Sequence, residues 1–289
     1  MLSRRFAAAV VCLLAVGGCA QILGAEFDGA TLDAGAPPSS DASPAGDAGS
    51  DAQAVDPRSL EGLALWLSAD VGVSALADAE GTITLWEDRS GKGHSATPIE
   101  PSRRPRLVRD ATVPAPVVVF DRVQKTCLSV AWTAIGAPRG LTLFVVSRGN
   151  ATNVVRFGPG GIVAFPWDSN ADNAHGDAPL LGLLVTTATG ARETPRLGSS
   201  GAAWEVLSAR LVARDVGGIR TYRNGQLAEQ ASLLDSDLPA ADALTLGCAP
   251  GMDEFASAMV GELLVYTASL SESNRRLIEE YLRAKWQIR

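Results

Sequence analysis

Residues 20–56 are almost wholly Ala, Asp, Gly, Pro and Ser, with no Lys, Arg or Trp. Such a stretch cannot bury enough apolar surface to offset the entropy of ordering it, so the sequence predicts a disordered segment there. Whatever folds must therefore come from residues 57–289. Charge divides the chain in the same place. Glu26 and the aspartates at 28, 33, 41, 47, 51 and 56 carry −7, equal to the net charge of the whole chain. Arg4 and Arg5 supply +2 ahead of them, which leaves residues 57–289 at −2. A near-neutral fold argues against a nucleic-acid partner, which calls for a clustered basic face. As a flexible coil, the acidic segment spans about 35 Å root-mean-square, and repulsion among its aspartates lengthens it. It reads as a tether.

Ahead of the tether, Arg4 and Arg5 precede an apolar run over residues 7–16, closed by Val16-Gly17-Gly18-Cys19. A charged start, a short apolar run and small residues describe an export signal. The run is half the roughly 20 apolar residues that a spanning helix needs. The cysteine directly behind the small residues resembles the lipobox of bacterial lipoproteins. That resemblance implies cleavage after Gly18, diacylglycerol on the Cys19 thiol and acylation of the new amino terminus. Two or more acyl chains anchor stably where one does not. Ala20, where enteric sorting reserves aspartate for the inner membrane, implies the outer membrane. The expected division is a signal at 1–18, a lipidated tether at 19–56 and a folded domain at 57–289.

Within the domain, short alternating runs rich in Val, Leu and Thr stand between turn residues. That pattern predicts an all-β sandwich, and about 230 residues suit a single one. Strands are expected at 63–68, 83–87, 116–121, 128–132, 141–147, 154–157, 162–165, 181–187, 205–213, 219–223, 244–247 and 261–266. Asn224-Gly225, ahead of a run at 226–230, is the strongest hairpin signal. One helix closes the chain, with Leu277, Ile278, Tyr281, Leu282 and Trp286 at helical spacing and Ser271, or Ser269 with Glu272, as its cap. This aromatic stripe is expected to pack on the sandwich.

Residues 63–70, Leu-Ala-Leu-Trp-Leu-Ser-Ala-Asp, and then 86–94, Trp-Glu-Asp-Arg-Ser-Gly-Lys-Gly-His, resemble the opening of bacterial LamG-like domains of the concanavalin A-like lectin/glucanase superfamily. Residues 117–121 (Val-Val-Val-Phe-Asp), Gly261-Glu262, Val265-Tyr266 and 281–286 (Tyr-Leu-Arg-Ala-Lys-Trp) match later pieces, with Arg122 and His94 as departures. The resemblance implies a two-sheet antiparallel jelly roll with a short C-terminal helix. The loop residues Asp88, Ser90, Gly91 and Gly93 read as turn-formers bonded to their own backbone. A jelly roll by itself implies no function, since the scaffold hosts lectins, glycan-cleaving enzymes and structural modules.

Glycoside cleavage needs two carboxyl groups across the bond. The alternating acidic strand motif of the glucanase branch is not found: Glu87-Asp88 and Asp253-Glu254 are adjacent and on a strand would face opposite ways. No Gly-x-Ser-x-Gly motif accompanies His94 or His175, and no zinc spacing occurs. An enzyme is not expected, and catalytic residues are not assigned. Asp168, Asn170 and Asp172 alternate as in a calcium loop, with Asp177 as a substitute ligand. Asn173 and Pro179 break that pattern, and a solvated Asx-rich turn is the alternative. With Cys12 in the signal and Cys19 lipidated, Cys127 and Cys248 remain, either as a disulfide in an oxidising compartment or as two buried thiols.

The expected function is a lipid-anchored envelope module that binds polysaccharide or glycoconjugate. Trp132, Trp167 and Trp204 are its candidate sugar platforms, with core packing the favoured alternative for each, and calcium is its one candidate cofactor. The alternative is a protein-interaction or structural domain in an envelope assembly, and the third reading is a glycan-active enzyme.

Overall fold

The computed structural model describes residues 55–289 except 79–80, 133–137, 150–153, 159–162, 169–180, 188–189, 194–202, 234–237, 239–242 and 250–252. For 163–168, 181–182, 187 and 190–193 it gives the backbone alone. The chain divides into two units, Met1–Asp51 and Ala52–Arg289, and every described residue lies in the second.

In chain order, the first strands are β1 (Leu63–Ser68), β2 (Val73–Ala75), β3 (Ile83–Trp86), β4 (Ala96–Pro98), β5 (Arg106–Arg109), β6 (Pro116–Phe120) and β7 (Leu128–Val130). Then come β8 (Gly140–Arg148), β9 (Val155–Phe157), β10 (Val163–Asp168), β11 (Leu181–Thr187), β12 (Gly190–Glu193) and β13 (Glu205–Val212). The last are β14 (Asp215–Arg223), β15 (Gln226–Leu233), β16 (Leu244–Leu246), β17 (Cys248–Ala249), β18 (Glu254–Phe255) and β19 (Ala258–Tyr266), followed by helix α1 (Glu272–Trp286).

These strands build two antiparallel sheets and a small hairpin. One sheet runs β15-β14-β13-β8-β19-β6-β5, with β1 also on β19. The other runs β12-β11-β10-β9-β16-β7-β4-β3-β2. The last strand, β19, thus sits in the middle of its sheet, and most pairings join distant parts of the chain. Leu65, Leu67, Leu143, Val145, Leu207, Ala209, Leu263 and Val265 of the first sheet share one buried cluster with Trp86, Leu128, Val130, Phe157 and Leu244 of the second. This is a two-sheet antiparallel sandwich with a helix at its C-terminus: the alternating sequence predicts the β-sandwich, and its jelly-roll form is what the resemblance implies.

The helix lies on the outer face of the first sheet. Ser271 caps it, its hydroxyl accepting from the Asn274 amide at 3.2 Å. Its last turn presses Trp286 onto Gly261, where the register of β19 shifts between Val260 and Glu262. A Cβ on Gly261 would stand 2.9 Å from the indole, so only glycine admits this approach. Beneath the helix, Glu262 is fully buried. Its Oε1 accepts from Trp66 Nε1 at 2.7 Å and the Tyr281 hydroxyl at 2.9 Å. Its Oε2 accepts from Trp286 Nε1 and meets the Lys285 ammonium, both at 2.7 Å. A buried charge stays in place only when paired and hydrogen-bonded, and this one has four partners. Arg275, also fully buried, pairs with Glu272 and Glu279 and lies 3.6 Å from the Tyr222 ring centroid.

Most expected strands agree with the structure to within a few residues. The hairpin turns at Asn224 (φ 49°) and Gly225 (φ 86°), both left-handed, as a type I′ turn requires. The strand expected at 128–132 ends at Val130, because the Trp132 amide turns back to the Val130 carbonyl at 2.7 Å. Strands β2, β4, β5, β12, β17 and β18 were not expected; each has four residues or fewer and too little alternation to register. No helix among the described residues is long and apolar enough to cross a membrane.

Candidate functional site

The residues singled out in the sequence fall into three groups. Cys19, residues 20–54 of the tether, Asn170, Asp172 and Asp177 lie outside the described residues. Trp167 and Asp168 lie on β10, where only the backbone is described. Cys127, Cys248, Trp132, Trp204 and the Asp88 loop are all described. Among the described residues, no group of His, Cys, Asp and Glu is placed to hold a metal ion.

Cys127 and Cys248 form a disulfide, with Cα atoms 5.4 Å apart across 121 residues of sequence. It anchors the β17–β18 hairpin and packs with Phe255, whose ring lies under Arg103 and Lys125 at 5.6 and 5.5 Å.

The Asp88 carboxylate is fully occupied by its own loop. Oδ1 accepts from the amides of Trp66 (3.0 Å) and Ser90 (2.8 Å), and Oδ2 from the Ser90 hydroxyl (2.7 Å) and the His94 amide (2.9 Å). His94 Nδ1 bonds the Ala64 carbonyl at 2.7 Å. The motif stitches its loop to β1 and leaves no oxygen for a ligand.

Trp132 and Trp204 are both buried, which removes them as open sugar platforms. Trp132 packs between His94 and Phe157, at 4.9 and 5.6 Å between centroids. Trp204 stacks on Trp286 at 6.5 Å and donates its indole N–H to Thr112 Oγ1 at 3.0 Å. Both stand just outside strand ends, where sequence spacing does not distinguish a buried indole from an open one. Thr112, however, leads to a site that the sequence did not flag.

That site is a pocket of about 410 Å³ where β6, β8 and β19 meet at one end of the first sheet. Val119, Phe120 and Asp121 line it from β6 and its exit, Arg148 and Gly149 from β8, and Ser257, Ala258 and Met259 from the start of β19. Register places Val119 and Arg148 on either side of Met259, which gives an apolar floor between two strand ends. Gly149 has φ 118°, and a Cβ there would stand 2.8 Å from the Ser257 carbonyl oxygen. The backbone can close this wall only with glycine.

Two charged groups reach the pocket with capacity to spare. Arg148 Nη1 bonds Asp110 Oδ2 at 3.0 Å and Thr112 Oγ1 at 3.3 Å, while its Nε and Nη2 have no partner among the described residues. The Thr112 hydroxyl and amide, with the Arg148 charge, hold the Asp110 carboxyl below the usual carboxylate range. Asp110 therefore stays ionised and fixes the guanidinium. Asp121 Oδ1 accepts from the amides of Val123 (2.7 Å) and Gln124 (3.2 Å), and its Oδ2 has no partner among the described residues. An acceptor and a forked donor over an apolar floor can bind adjacent hydroxyls while the floor meets C–H groups. The size falls in the usual range for small-ligand sites.

No protein-family profile matches the chain, and no curated protein matches it. Among solved structures, a Trypanosoma rangeli sialidase in complex with the inhibitor DANA aligns with 76% of this chain and 33% of its own, at 17% identity and TM-score 0.48. The binding domain of Paraclostridial Mosquitocidal Protein 1 aligns with 75% and 52%, at 10% identity and TM-score 0.50. Domain 4 of AbnA, a GH43 extracellular arabinanase from Geobacillus stearothermophilus, in complex with arabinotriose, aligns with 74% and 97%, at 14% identity and TM-score 0.48. This chain spans about a third of the sialidase and about half of the mosquitocidal binding domain. At 10% identity, the likeness to the mosquitocidal binding domain is one of fold alone.

Proposed function

We propose that this protein is a lipid-anchored module of the bacterial cell envelope that binds carbohydrate in the Asp121–Arg148 pocket. The observation that carries the reading is the pairing, over Val119 and Met259, of an acceptor oxygen on Asp121 with donors on Arg148 that nothing else in the described fold uses. Sugar rings present adjacent hydroxyls and an apolar face together, and this pocket complements both. The lipobox-like Val16-Gly17-Gly18-Cys19 and the acidic tether support anchoring at Cys19, with the domain free to sample its surroundings.

The test uses the full chain, purified in detergent, on a panel of soluble glycans and polysaccharides. Specific binding by the wild type, reduced at least tenfold in Asp121→Asn, supports the reading. Silence across the panel, or binding unchanged by the substitution, overturns it and redirects the search to a protein partner. Anchoring is tested separately: Cys19→Ala should move the chain from the membrane fraction to the soluble fraction.

A further inference from the structure

On the same sheet face, at the other end of α1, stand two arginines that the pocket does not use. Arg210 of β13 and Arg220 of β14 are paired directly across the strands, with Thr142 flanking Arg210 and Gln230 flanking Arg220 in the same row. The alternation that carries Tyr222 and Ser208 toward the helix carries both arginines to that outer face. Like charges directly opposed on a sheet are destabilising, and strands usually place a carboxylate opposite instead. Here neither arginine has a carboxylate partner among the described residues. The carboxylates that α1 brings to this face, Glu272 and Glu279, are already committed to Arg275 and Arg276. Arg210 Nε is moreover a buried donor with no hydrogen-bond partner among the described residues. A buried donor left unbonded is unfavourable, and it adds to the like-charge repulsion.

An oxyanion between the accessible ends of the two guanidiniums would relieve that repulsion. Two adjacent guanidiniums offer forked N–H groups to the oxygens of a sulfate, carboxylate or phosphate, in the geometry where arginine outperforms lysine. We propose that Arg210 and Arg220 form a binding site for an anionic substituent of a polysaccharide. This goes beyond the carbohydrate reading of the pocket and uses none of its residues. The pair is half-buried beside the segment that enters α1 over the start of β8. That segment is tied down by Thr142 Oγ1, which donates to the Ala268 carbonyl at 2.8 Å and accepts from the Leu270 amide at 3.0 Å.

The test titrates the full chain in detergent with dextran sulfate, polygalacturonate and uncharged dextran of matched length, and the Cys19→Ala chain, free of detergent, with phosphatidylglycerol vesicles. The expected result is binding to one or both acidic polymers at least tenfold tighter than to dextran, weakened by salt. Arg210→Gln and Arg220→Gln should each reduce that binding about fivefold or more, without lowering the melting temperature. The ratio of affinity for acidic polymer to that for uncharged dextran reads this site, and the affinity for neutral glycans reads the pocket, so failure of the pocket reading and failure of this one are distinguishable. Equal affinity for dextran, binding to vesicles alone, substitutions without effect on binding, or a clear loss of stability in either arginine variant would overturn the proposal.

Discussion

Two regions of one sheet face treat their charged groups in opposite ways. Under α1, the buried Glu262 has four partners, and Arg275 is held between two glutamates and an aromatic ring. At the pocket, Asp121 keeps one oxygen, and Arg148 two nitrogens, without partners among the described residues. The first pattern is how a fold keeps charge inside itself. The second leaves capacity for something from outside. Residue type does not separate the two regions, since both combine carboxylates with cations. What separates them is how completely each carboxylate is bonded.

The largest effect should come from the covered region. Glu262→Ala strips partners from Lys285 and from two indoles at once, and removing one member of a buried charged network costs about 3–5 kcal/mol. Urea unfolding should show that loss, with glycan affinity of the remaining folded protein unchanged. A smaller loss is expected from Gly261→Ala, which drives a methyl group against the Trp286 indole; overpacking of this kind costs about 1–3 kcal/mol. A shift of the unfolding midpoint smaller than experimental scatter would mean that the helix does not press on β19 as described.

Acid should separate the regions next. Burial raises the pKa of Asp88, but bonds from Ser90, His94 and Trp66 outweigh it, and the net shift is downward. For Asp70, burial is likewise outweighed by the Ser68 hydroxyl and the Lys285 charge. A carboxylate whose folded pKa is depressed contributes stability that is present above its unfolded pKa of about 3.9 and lost as pH falls through the folded value. Stability should therefore fall on acidification below about pH 4, and Asp88→Asn should flatten that dependence while lowering stability at neutral pH. Glu279 has the opposite sign: burial raises it ahead of the relief from Ser208 and Arg275, so its contribution is full at low pH and fades as pH rises.

The sequence carried the sandwich well and the pocket poorly, and the reason is physical. Strand β1 and the helix stripe are written in apolar periodicity, and Asn224-Gly225 in turn chemistry; all are local signals. The pocket joins Val119 and Asp121 with Arg148 and Met259 from distant parts of the chain, and nothing in their spacing announces that register will bring them together. Asp121 was legible only as the end of a strand motif, and Arg148 only as the residue where an apolar run stops. The tryptophans were ambiguous for the complementary reason. Trp132 and Trp204 have the chemistry of a sugar platform as well as of a core, and both are buried by residues distant in sequence, Trp132 between His94 and Phe157 and Trp204 on Trp286.

The smallest effect on stability should come with the largest effect on binding, at Asp121. The most direct measurement is a matched titration, using a glycan that the wild type binds, of Asp121→Asn and Asp88→Asn side by side with their melting temperatures. The account predicts that Asp121→Asn loses at least tenfold in affinity with stability within about 0.5 kcal/mol of wild type. It predicts that Asp88→Asn melts earlier yet binds normally while folded. The reverse pattern, with affinity lost at Asp88 and retained at Asp121, would contradict it.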